Sequence, residues 1–317
     1  MKRYFDLHCD TLTRFYDKEN LLKDTLNMDE NIIALDRVPK DRSYGQFFAV
    51  FVPDRYRGEA AEEFFNNNAN NFLRQCKKFS RNTKRCRNYD DIINAYEEGK
   101  TAACLSIEGG AAFGGKLENV EKARDLGVCA CTLTWNGENE LASGNVTQVG
   151  LKAFGKECIR EMERCSIIVD VSHLNDPGFY DVLKFAKRPF IATHSNSRSM
   201  TGHLRNLKDD QIKEMIDMGG LIGLNYCTAF LNDDPDKANL EDTYRHVEHI
   251  LELGGENVLA LGSDFDGCRV FPDLDSLQKS FNLGNHFLSK GISEETVEKI
   301  MAENALNFFK EYFKNGI

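Results

Sequence analysis

The residues near the start of the chain that are best suited to chemistry are a histidine and an aspartate separated by one residue. His8 and Asp10 end a short β-like run, and Asp6 precedes His8 with the same spacing. Side chains two residues apart in an extended strand point to the same face. An imidazole and a carboxylate on one face form half of a site for a divalent metal ion. The simpler interpretation is a strand-end histidine that packs above a solvated carboxylate.

Similar polar endings follow other β-like runs of the chain. Glu108 and His173 each end an apolar run, and so do His194 and Asp264 further along. Several imidazoles and carboxylates in one place suit two divalent ions that share a bridging carboxylate. Such ions acidify a water molecule for hydrolysis, and a further aspartate within reach can carry its proton to a leaving group. The pattern therefore indicates metal-assisted hydrolysis, provided that the fold brings these residues together.

The β-like runs are mostly continuous rather than alternating in hydrophobicity, which is typical of parallel strands covered by helices. We predict eight strands: Tyr4–Asp10, Gln46–Val52, Ala102–Glu108, Val128–Trp135, Ile167–His173, Phe190–His194, Leu221–Tyr226 and Val258–Asp264. Amphipathic segments separate them: Glu59–Phe79, Lys116–Leu126, Leu151–Cys165, a helix beginning at Asn175-Asp176-Pro177, Asp209–Met218, Leu240–Leu253 and Ser293–Phe313.

This alternation predicts an α/β fold, a single (β/α)8 TIM-type barrel that spans residues 1–317 as one domain and closes with a C-terminal helical segment. An open, doubly wound sheet is the alternative. In a (β/α)8 barrel the active site lies at the carboxyl ends of the strands. The polar endings fall at those positions, so the barrel is the fold that would bring them together.

Composition limits the function classes. The chain has 317 residues, a net charge of −10 and a charged fraction of 28%, which argues against a nucleic-acid or anionic-membrane surface. There is no long apolar run, so we expect neither a membrane-spanning helix nor a signal peptide. Ten cysteines without a C-x-x-C motif indicate reduced thiols, a cytoplasmic location and no thiolate zinc site.

Several other polar residues have structural interpretations. We expect Asp170 to orient its neighbours by hydrogen bonds and Asp266 to shape the loop after the last strand. His246 and His249 are expected on a solvated helix face, and the basic stretch 77–87 is expected to be a solvated helix face and loop.

The order of the motifs resembles the membrane dipeptidase family, also called renal dipeptidase or peptidase family M19, within the amidohydrolase superfamily. The motifs are His8-x-Asp10, Ser106-Ile107-Glu108-Gly109, Val171-Ser172-His173, Ala192-Thr193-His194-Ser195 and Gly262-Ser263-Asp264-Phe265-Asp266-Gly267. Two stretches near the C-terminus also look like the family's pattern: Gly291-Ile292-Ser293-Glu294-Glu295 and Asn304-Ala305-Leu306-Asn307-Phe308.

The resemblance implies two divalent ions, zinc in particular, and a dipeptide substrate. The metal ligands implied by it are His8, Asp10, Glu108, His173 and His194, the first two on one ion, the two later histidines on the other and the glutamate bridging. Asp264 would be the proton carrier for an attacking bridging hydroxide. Arg205 would bind the substrate carboxylate, which a guanidinium can meet bidentately. The resemblance also implies a homodimer.

One position departs from the family. Mammalian members carry a histidine that is thought to polarise the substrate carbonyl, and Trp135 stands there in this chain. Tryptophan donates one N–H but carries no positive charge. We therefore expect Trp135 and Asn136 to be substrate-binding residues of an altered pocket. Two alternatives stay open: a hydrolase of a lactone or cyclic amide, and a non-catalytic metal-binding barrel, against which the presence of Asp264 argues.

Overall fold

The computed structural model describes residues 2–14 and 23–314, so residues 1, 15–22 and 315–317 of the predicted domain lie outside the described residues. The described chain contains nine strands, all paired in parallel. They are β1 (Arg3–Cys9), β2 (Ser43–Phe51), β3 (Thr83–Cys86), β4 (Thr101–Glu108), β5 (Val128–Thr132), β6 (Ile168–Asp170), β7 (Ile191–Ala192), β8 (Leu221–Leu224) and β9 (Leu259–Leu261).

Eight of these strands close into a ring in the order β1, β2, β4, β5, β6, β7, β8 and β9, and β9 pairs back with β1. The predicted (β/α)8 barrel is confirmed, and the open sheet is wrong because the β1–β9 pairing leaves no edge at that point. The carboxyl ends of all eight strands therefore lie on one rim.

The ninth strand, β3, was not predicted. It pairs with Thr101–Cys104 at the start of β4, while β5 pairs with the later residues of the same strand. Lys84 and Arg85 occupy its middle, and this basic composition led to the interpretation as a solvated helix face and loop. Charged residues are common on short edge strands because they discourage further pairing.

Helices cover the outside of the ring. They are α1 (Gly58–Lys78), α2 (Tyr89–Glu97), α3 (Glu118–Asp125), α4 (Ala153–Arg164), α5 (Asp176–Phe185), α6 (Asp209–Asp217), α7 (Thr228–Leu231), α8 (Leu240–Glu252), α9 (Leu277–Ser280), α10 (Leu283–Ser289), α11 (Glu294–Glu298) and α12 (Asn304–Lys314). The predicted C-terminal helical segment is confirmed as α11 and α12, joined by a π-helical turn over Lys299–Glu303.

The C-terminal helix is attached to the barrel by apolar and polar contacts. The ring of Phe309 on α12 lies 5.0 Å from that of Phe5 on β1 and 5.3 Å from that of Phe47 on β2. At the start of α12, the Asn304 side chain donates to the carbonyl oxygens of Glu256 and Leu259, both at 2.8 Å. These contacts fix the polypeptide around β9, which precedes the loop carrying Asp264.

Most strands end earlier than predicted. His173 and Asp264 have φ angles of 68° and 60°, in the left-handed region. A residue with that conformation cannot continue a β ladder, so both lie in turns immediately beyond β6 and β9. The turns redirect these side chains over the rim of the barrel.

The expectation for the two helical histidines is wrong. His246 on α8 is fully buried, where its Nδ1 accepts a hydrogen bond from the Ser197 N–H at 3.2 Å and its Nε2 lies 3.2 Å from the Leu231 carbonyl oxygen. His249 is half-buried and pairs with the Asp209 carboxylate at 2.9 Å. Loops after β7 and β8 fold over this face of α8, and a helical pattern alone does not show that cover.

Candidate metal centre and substrate cavity

The five predicted metal ligands, contributed by the ends of β1, β4, β6 and β7, converge at the rim. His8 Nε2 lies 3.5 Å from Asp10 Oδ2 and 3.6 Å from Glu108 Oε2. On the other side, Glu108 Oε1 lies 2.7 Å from His173 Nε2 and 3.8 Å from His194 Nε2. The two oxygens of Glu108 thus face two different groups of donors. A carboxylate placed in this way is suited to bridge two cations.

The donor atoms of this cluster are buried and incompletely hydrogen-bonded. His8 is 1% exposed and Asp10 is 7% exposed, and neither His8 Nε2 nor Asp10 Oδ1 has a hydrogen-bond partner in the described part of the chain. The Nε2 atoms of His173 and His194 lie only 3.0 Å apart. Burying polar atoms without partners costs free energy, and so does placing several carboxylates close together away from water. Divalent cations would bind the unpartnered atoms and balance the charge of the carboxylates. The donor set therefore fits the two ions that the sequence predicts.

Partners on the far side of two imidazoles orient them. His173 Nδ1 lies 3.1 Å from Asn136 Oδ1, and His194 Nδ1 lies 2.8 Å from the Thr193 hydroxyl. A proton on each Nδ1 satisfies these contacts and leaves the Nε2 lone pair directed into the cluster. Neutral imidazoles of this tautomer are the form that binds metal.

Asp170 connects the ends of β5, β6 and β7 below the cluster. Its Oδ1 accepts from the backbone N–H groups of Ser172 and Thr193 at 2.9 and 3.0 Å. Its Oδ2 accepts from the hydroxyls of Thr132 and Thr193 at 2.5 and 2.6 Å. The Thr193 hydroxyl, which donates to Asp170, is therefore free to accept from the His194 Nδ1–H. The expected orienting role of Asp170 is confirmed by these bonds.

The predicted proton carrier lies beside the first donor group. Asp264 Oδ1 is 4.0 Å from His8 Nε2, and Asp264 Oδ2 accepts a hydrogen bond from Asn225 Nδ2 at 3.0 Å. Donor atoms of His8, Asp10 and Asp264 all lie within 4.8 Å of one another. Asp264 is thus near enough to contact a cation held by His8 and Asp10 as well as a substrate in the cavity.

The ionisation of the site follows from its burial. Burial raises the pKa of Asp264 to about 7, which His8 opposes and the carboxylates of Asp10 and Glu108 reinforce. Burial and the Glu108 charge raise the pKa of Asp10 to about 6. Burial also disfavours the Glu108 carboxylate, but its contacts with His173 and His8 outweigh that and lower its pKa. Protons therefore occupy part of the site at neutral pH when no cation is bound.

The histidines divide into two kinds. Burial and the nearby Arg205 charge lower the pKa of His173 to about 4, and burial with the His8 charge lowers that of His194. His8 is also disfavoured as a cation by burial, but Asp10 and Glu108 raise its pKa above the ordinary value. The pair near Glu108 Oε1 is therefore neutral, whereas His8 holds a proton that a metal ion would displace.

A cavity of about 640 Å³ opens above the cluster and combines charged and aromatic walls. Its charged lining residues are Asp10, Glu108, Asp264, Asp266, Arg14, Arg55 and Arg205, and its aromatic ones include Phe51, Phe64, Trp135 and Phe230. Arg205 is 6% exposed and donates to the His194 carbonyl oxygen at 3.2 Å, while its Nε has no partner. Its guanidinium lies 5.4 Å from the centre of the Phe230 ring. The predicted carboxylate-binding residue thus lies in the same cavity as the metal cluster.

Trp135 and Asn136 also line this cavity. The Trp135 ring meets that of Phe51 edge-on at 4.8 Å and lies 6.5 Å from that of His173. The Asn136 oxygen is occupied by His173, as described above, so this side chain supports a predicted metal ligand as well as facing the substrate space. The substrate-binding roles of both residues stay predictions.

Some residues of the site were not found by reading the sequence. No site residue was assigned to the ends of the second and seventh predicted strands, yet Phe51 ends β2 and Asn225 follows β8 and binds Asp264. Their position at strand ends was the available signal. For Gly267 the sequence offered no signal. A Cβ on this residue would lie 1.9 Å from Asp10 Oδ2, so only glycine allows the loop after β9 to approach the cluster so closely.

The fold and the site together define a metal-dependent hydrolase on a (β/α)8 barrel. Residues 2–315 match the family model described as membrane dipeptidase, peptidase family M19. The chain therefore belongs to the membrane dipeptidase family, and the predicted resemblance is confirmed.

Among the proteins similar to this chain are two curated relatives. A protein of Klebsiella pneumoniae from the pqqA 5′ region is 30% identical over 240 residues, covering 72% of this chain and 89% of its own length. An uncharacterized dipeptidase of Schizosaccharomyces pombe is 33% identical over 232 residues, 70% of this chain and 56% of the length of the relative.

The solved structures are similar over their whole length. One is a metallopeptidase of family M19 named dipeptidase AC, with a TM-score of 0.90, 26% identity and coverage of 98% of both chains. The other is a metallopeptidase from Rhodobacter sphaeroides bound to a phosphinate mimic of the dipeptide L-Ala-D-Ala, with a TM-score of 0.90, 25% identity and coverage of 98% of this chain and 99% of that chain. Among residues 2–14 and 23–314, none of the helices combines the length and the apolar character needed to span a bilayer.

Proposed function

We propose that this protein is a dizinc dipeptidase that hydrolyses the peptide bond of dipeptides. The observation that carries the proposal is the position of Glu108, whose two oxygens face His8 on one side and His173 with His194 on the other. Membership of the membrane dipeptidase family supports it. So does the dipeptide mimic bound by the Rhodobacter sphaeroides relative.

In this proposal the cluster holds two divalent ions. His8 and Asp10 would hold one, His173 and His194 the other, and Glu108 would bridge them. Zinc suits imidazole and carboxylate donors, which manganese and cobalt also accept. When bound, such ions lower the pKa of water and polarise a carbonyl oxygen.

The protein's own residues position the substrate and move the proton. Arg205 would bind the C-terminal carboxylate of the dipeptide, since its guanidinium lies in the cavity with an unpaired Nε. Asp264 would accept a proton from the attacking water and return it to the departing amine. Its carboxylate lines the cavity, with Oδ1 4.0 Å from His8 Nε2, so it lies within reach of both the attacking water and the departing amine. Trp135 and Asn136 would contact the substrate from the end of β5.

The proposal is tested with purified protein, metal analysis and a dipeptide panel that includes D-residues at the second position. We expect about two ions per chain and hydrolysis of dipeptides. Asp264→Asn should keep both ions and lose turnover by roughly 10²- to 10⁴-fold. The control is Asp236→Asn, because Asp236 is exposed and pairs only with the exposed Arg269 among described residues. Full activity of Asp264→Asn would refute the assigned role.

A second candidate function is the hydrolysis of a lactone or cyclic amide. It is favoured by Trp135, which together with Phe51 makes one wall of the cavity aromatic where mammalian family members carry a titratable histidine. Adding lactones and cyclic amides to the dipeptide panel separates the two functions: turnover of these compounds without turnover of dipeptides would favour the second.

Location and assembly belong to the proposal as well. We propose a cytoplasmic location, supported by the ten cysteines, all of which are free thiols. The homodimer implied by the family resemblance stays a prediction that sedimentation of the purified protein would check.

A further inference from the structure

We propose that the preferred substrates are dipeptides with an acidic side chain on their N-terminal residue, and that Arg55 is the residue that selects them. This inference rests on the proposed dipeptidase function and names its substrate class. Four observations carry it: the position of Arg55 in the barrel, the charge balance of the cavity, the lack of an ion pair at Arg55 within residues 2–14 and 23–314, and the aromatic wall beside it.

Arg55 and Arg205 lie on opposite sides of the cavity. Arg55 follows β2 and Arg205 follows β7, and these two strands are four positions apart in the ring of eight. Both side chains line the same cavity as Glu108. A dipeptide whose C-terminal carboxylate lies on Arg205 and whose peptide bond lies at the metal cluster must therefore extend its N-terminal residue toward β2 and Arg55.

Among the residues that the structure describes, the charge balance of the cavity leaves Arg55 unmatched. Asp10, Glu108 and Asp264 face His8 and the proposed cations. Asp266 pairs with Arg14 and accepts hydrogen bonds from Thr11 and Ile32. This leaves two guanidiniums, those of Arg205 and Arg55, for groups of the substrate. A dipeptide with a neutral side chain brings one carboxylate, whereas an acidic side chain brings the second.

Arg55 has the features of a ligand-binding arginine at a cavity mouth. It is exposed, and in the described part of the chain it makes no ion pair; its guanidinium lies over the Tyr56 ring, 4.9 Å from the ring centre. The nearby Arg57 is by contrast tied to Asp54 and to the Glu138 carbonyl oxygen. Stacking on an aromatic ring holds a guanidinium in place and leaves its N–H groups available for a carboxylate.

The wall between Arg55 and the metal cluster is apolar. Phe51 and Trp135 pack edge-to-face, and Pro53 lies beside them in the lining of the cavity. This surface suits the methylene groups of a glutamate or aspartate side chain whose carboxylate reaches the guanidinium. The arrangement therefore selects by charge at the mouth and by apolar contact below it.

The test compares kcat/KM for isosteric pairs of dipeptides on the zinc-loaded enzyme. Glu-Ala and Gln-Ala differ only in the charge of the N-terminal side chain, and Ala-Glu with Ala-Gln places the same change at the C-terminal residue; each is used with L- and D-configured second residues. We expect about a ten-fold preference for Glu-Ala over Gln-Ala, no such preference in the other pair, and a weaker preference at high salt.

In Arg55→Gln the Glu-Ala preference should fall to near unity while turnover of Gln-Ala is retained. The matched control is Arg269→Gln, an exposed arginine paired with Asp236 next to the cavity residue Cys268, which should keep the preference. Equal rates for Glu-Ala and Gln-Ala, a preference that survives Arg55→Gln, or a preference confined to Ala-Glu would overturn the inference while leaving the dipeptidase intact. Failure to hydrolyse any dipeptide would instead overturn the proposed function, and this inference with it.

Discussion

At the scale of single residues, the site depends on groups that contact no substrate. Asp170 accepts four hydrogen bonds, one of them from the Thr193 hydroxyl that receives the His194 Nδ1–H. The carboxylate therefore fixes the direction of the hydroxyl and, through it, the tautomer of His194. Support of this kind governs how well a metal ligand is oriented.

Removing the Asp170 charge should weaken metal binding without abolishing the fold. In Asp170→Asn one oxygen becomes an NH₂ group, which cannot accept from the Thr132 and Thr193 hydroxyls. We expect the affinity for zinc to fall by roughly 10- to 100-fold, measured by competition with a chelator. Asp217→Asn, at an exposed position of α6, is the control. An unchanged affinity for zinc in Asp170→Asn would show that the Thr193 hydroxyl orients His194 without the Asp170 carboxylate.

The raised pKa values in the cluster predict how metal binding depends on pH. Asp264 and Asp10 have pKa values of about 7 and about 6 without a cation. A carboxyl group must lose its proton to bind or to face a cation, so affinity should rise as pH increases from about 5 to above 7, with protons released. Calorimetry in buffers of different ionisation enthalpy measures that release. A binding enthalpy independent of the buffer would contradict the assignment.

At the scale of helices and strands, burial of His246 gives α8 a pH-sensitive contact. Its Nδ1 accepts from Ser197 N–H, and a proton on that atom would remove the bond. Burial lowers its pKa to about 4, against about 6.5 in an unfolded chain. The stabilisation is therefore complete above pH 6.5 and is lost as pH falls from 6.5 toward 4, by about 3 kcal/mol.

Urea unfolding at several pH values checks this effect. The loss of unfolding free energy between pH 7 and pH 4.5 should be smaller in His246→Gln than in the unsubstituted protein. His249→Gln serves as the control, since His249 is half-buried and paired with Asp209. In this variant the unfolding free energy should still fall between pH 7 and pH 4.5. Equal pH dependence in His246→Gln and the unsubstituted protein would show that His246 does not titrate as proposed.

The elements also show how far sequence reasoning reaches. Continuous apolar runs such as 102–108 predict buried parallel strands, because only residues covered on both faces can all be apolar. The ends of β6 and β9 could not be predicted, since the left-handed turns at His173 and Asp264 depend on contacts across the rim. β3 was missed because its pairing with β4 stabilises the strand, whereas its basic composition does not indicate one. The positions of the site residues followed from the predicted strand ends, and Asn225 could have been found in the same way because it directly follows β8. Arg55, by contrast, lies in a loop whose course depends on tertiary packing.

At the scale of the whole molecule, the cluster joins segments far apart in the sequence. His8 lies in the first strand and His194 follows the sixth strand of the ring, yet their rings stack at a centroid distance of 3.8 Å. Parallel strands in a closed barrel all end on one rim, which is why such distant residues meet. Bound ions would thus act as cross-links between β1, β4, β6 and β7.

Metal removal should accordingly lower the stability of the entire barrel. A ligand that binds only the folded state stabilises it by about 2.7 kcal/mol at 100 times its Kd. For a domain of this size we expect chelation to lower the Tm by roughly 5 °C, with recovery on adding zinc. Glu108→Gln, which removes the bridging charge, should abolish most of that difference. A Tm unaffected by chelation in a protein shown to lose zinc would contradict the cross-linking role.

In the proposed metal centre, five side chains at one rim hold two cations on either side of Glu108. Diffraction data from crystals grown with zinc and a phosphinic dipeptide mimic, collected on both sides of the zinc absorption edge, test it most directly. Two anomalous peaks are expected in contact with Glu108, one also near His8 and Asp10 and the other near His173 and His194. A single peak, or peaks away from these residues, would contradict it.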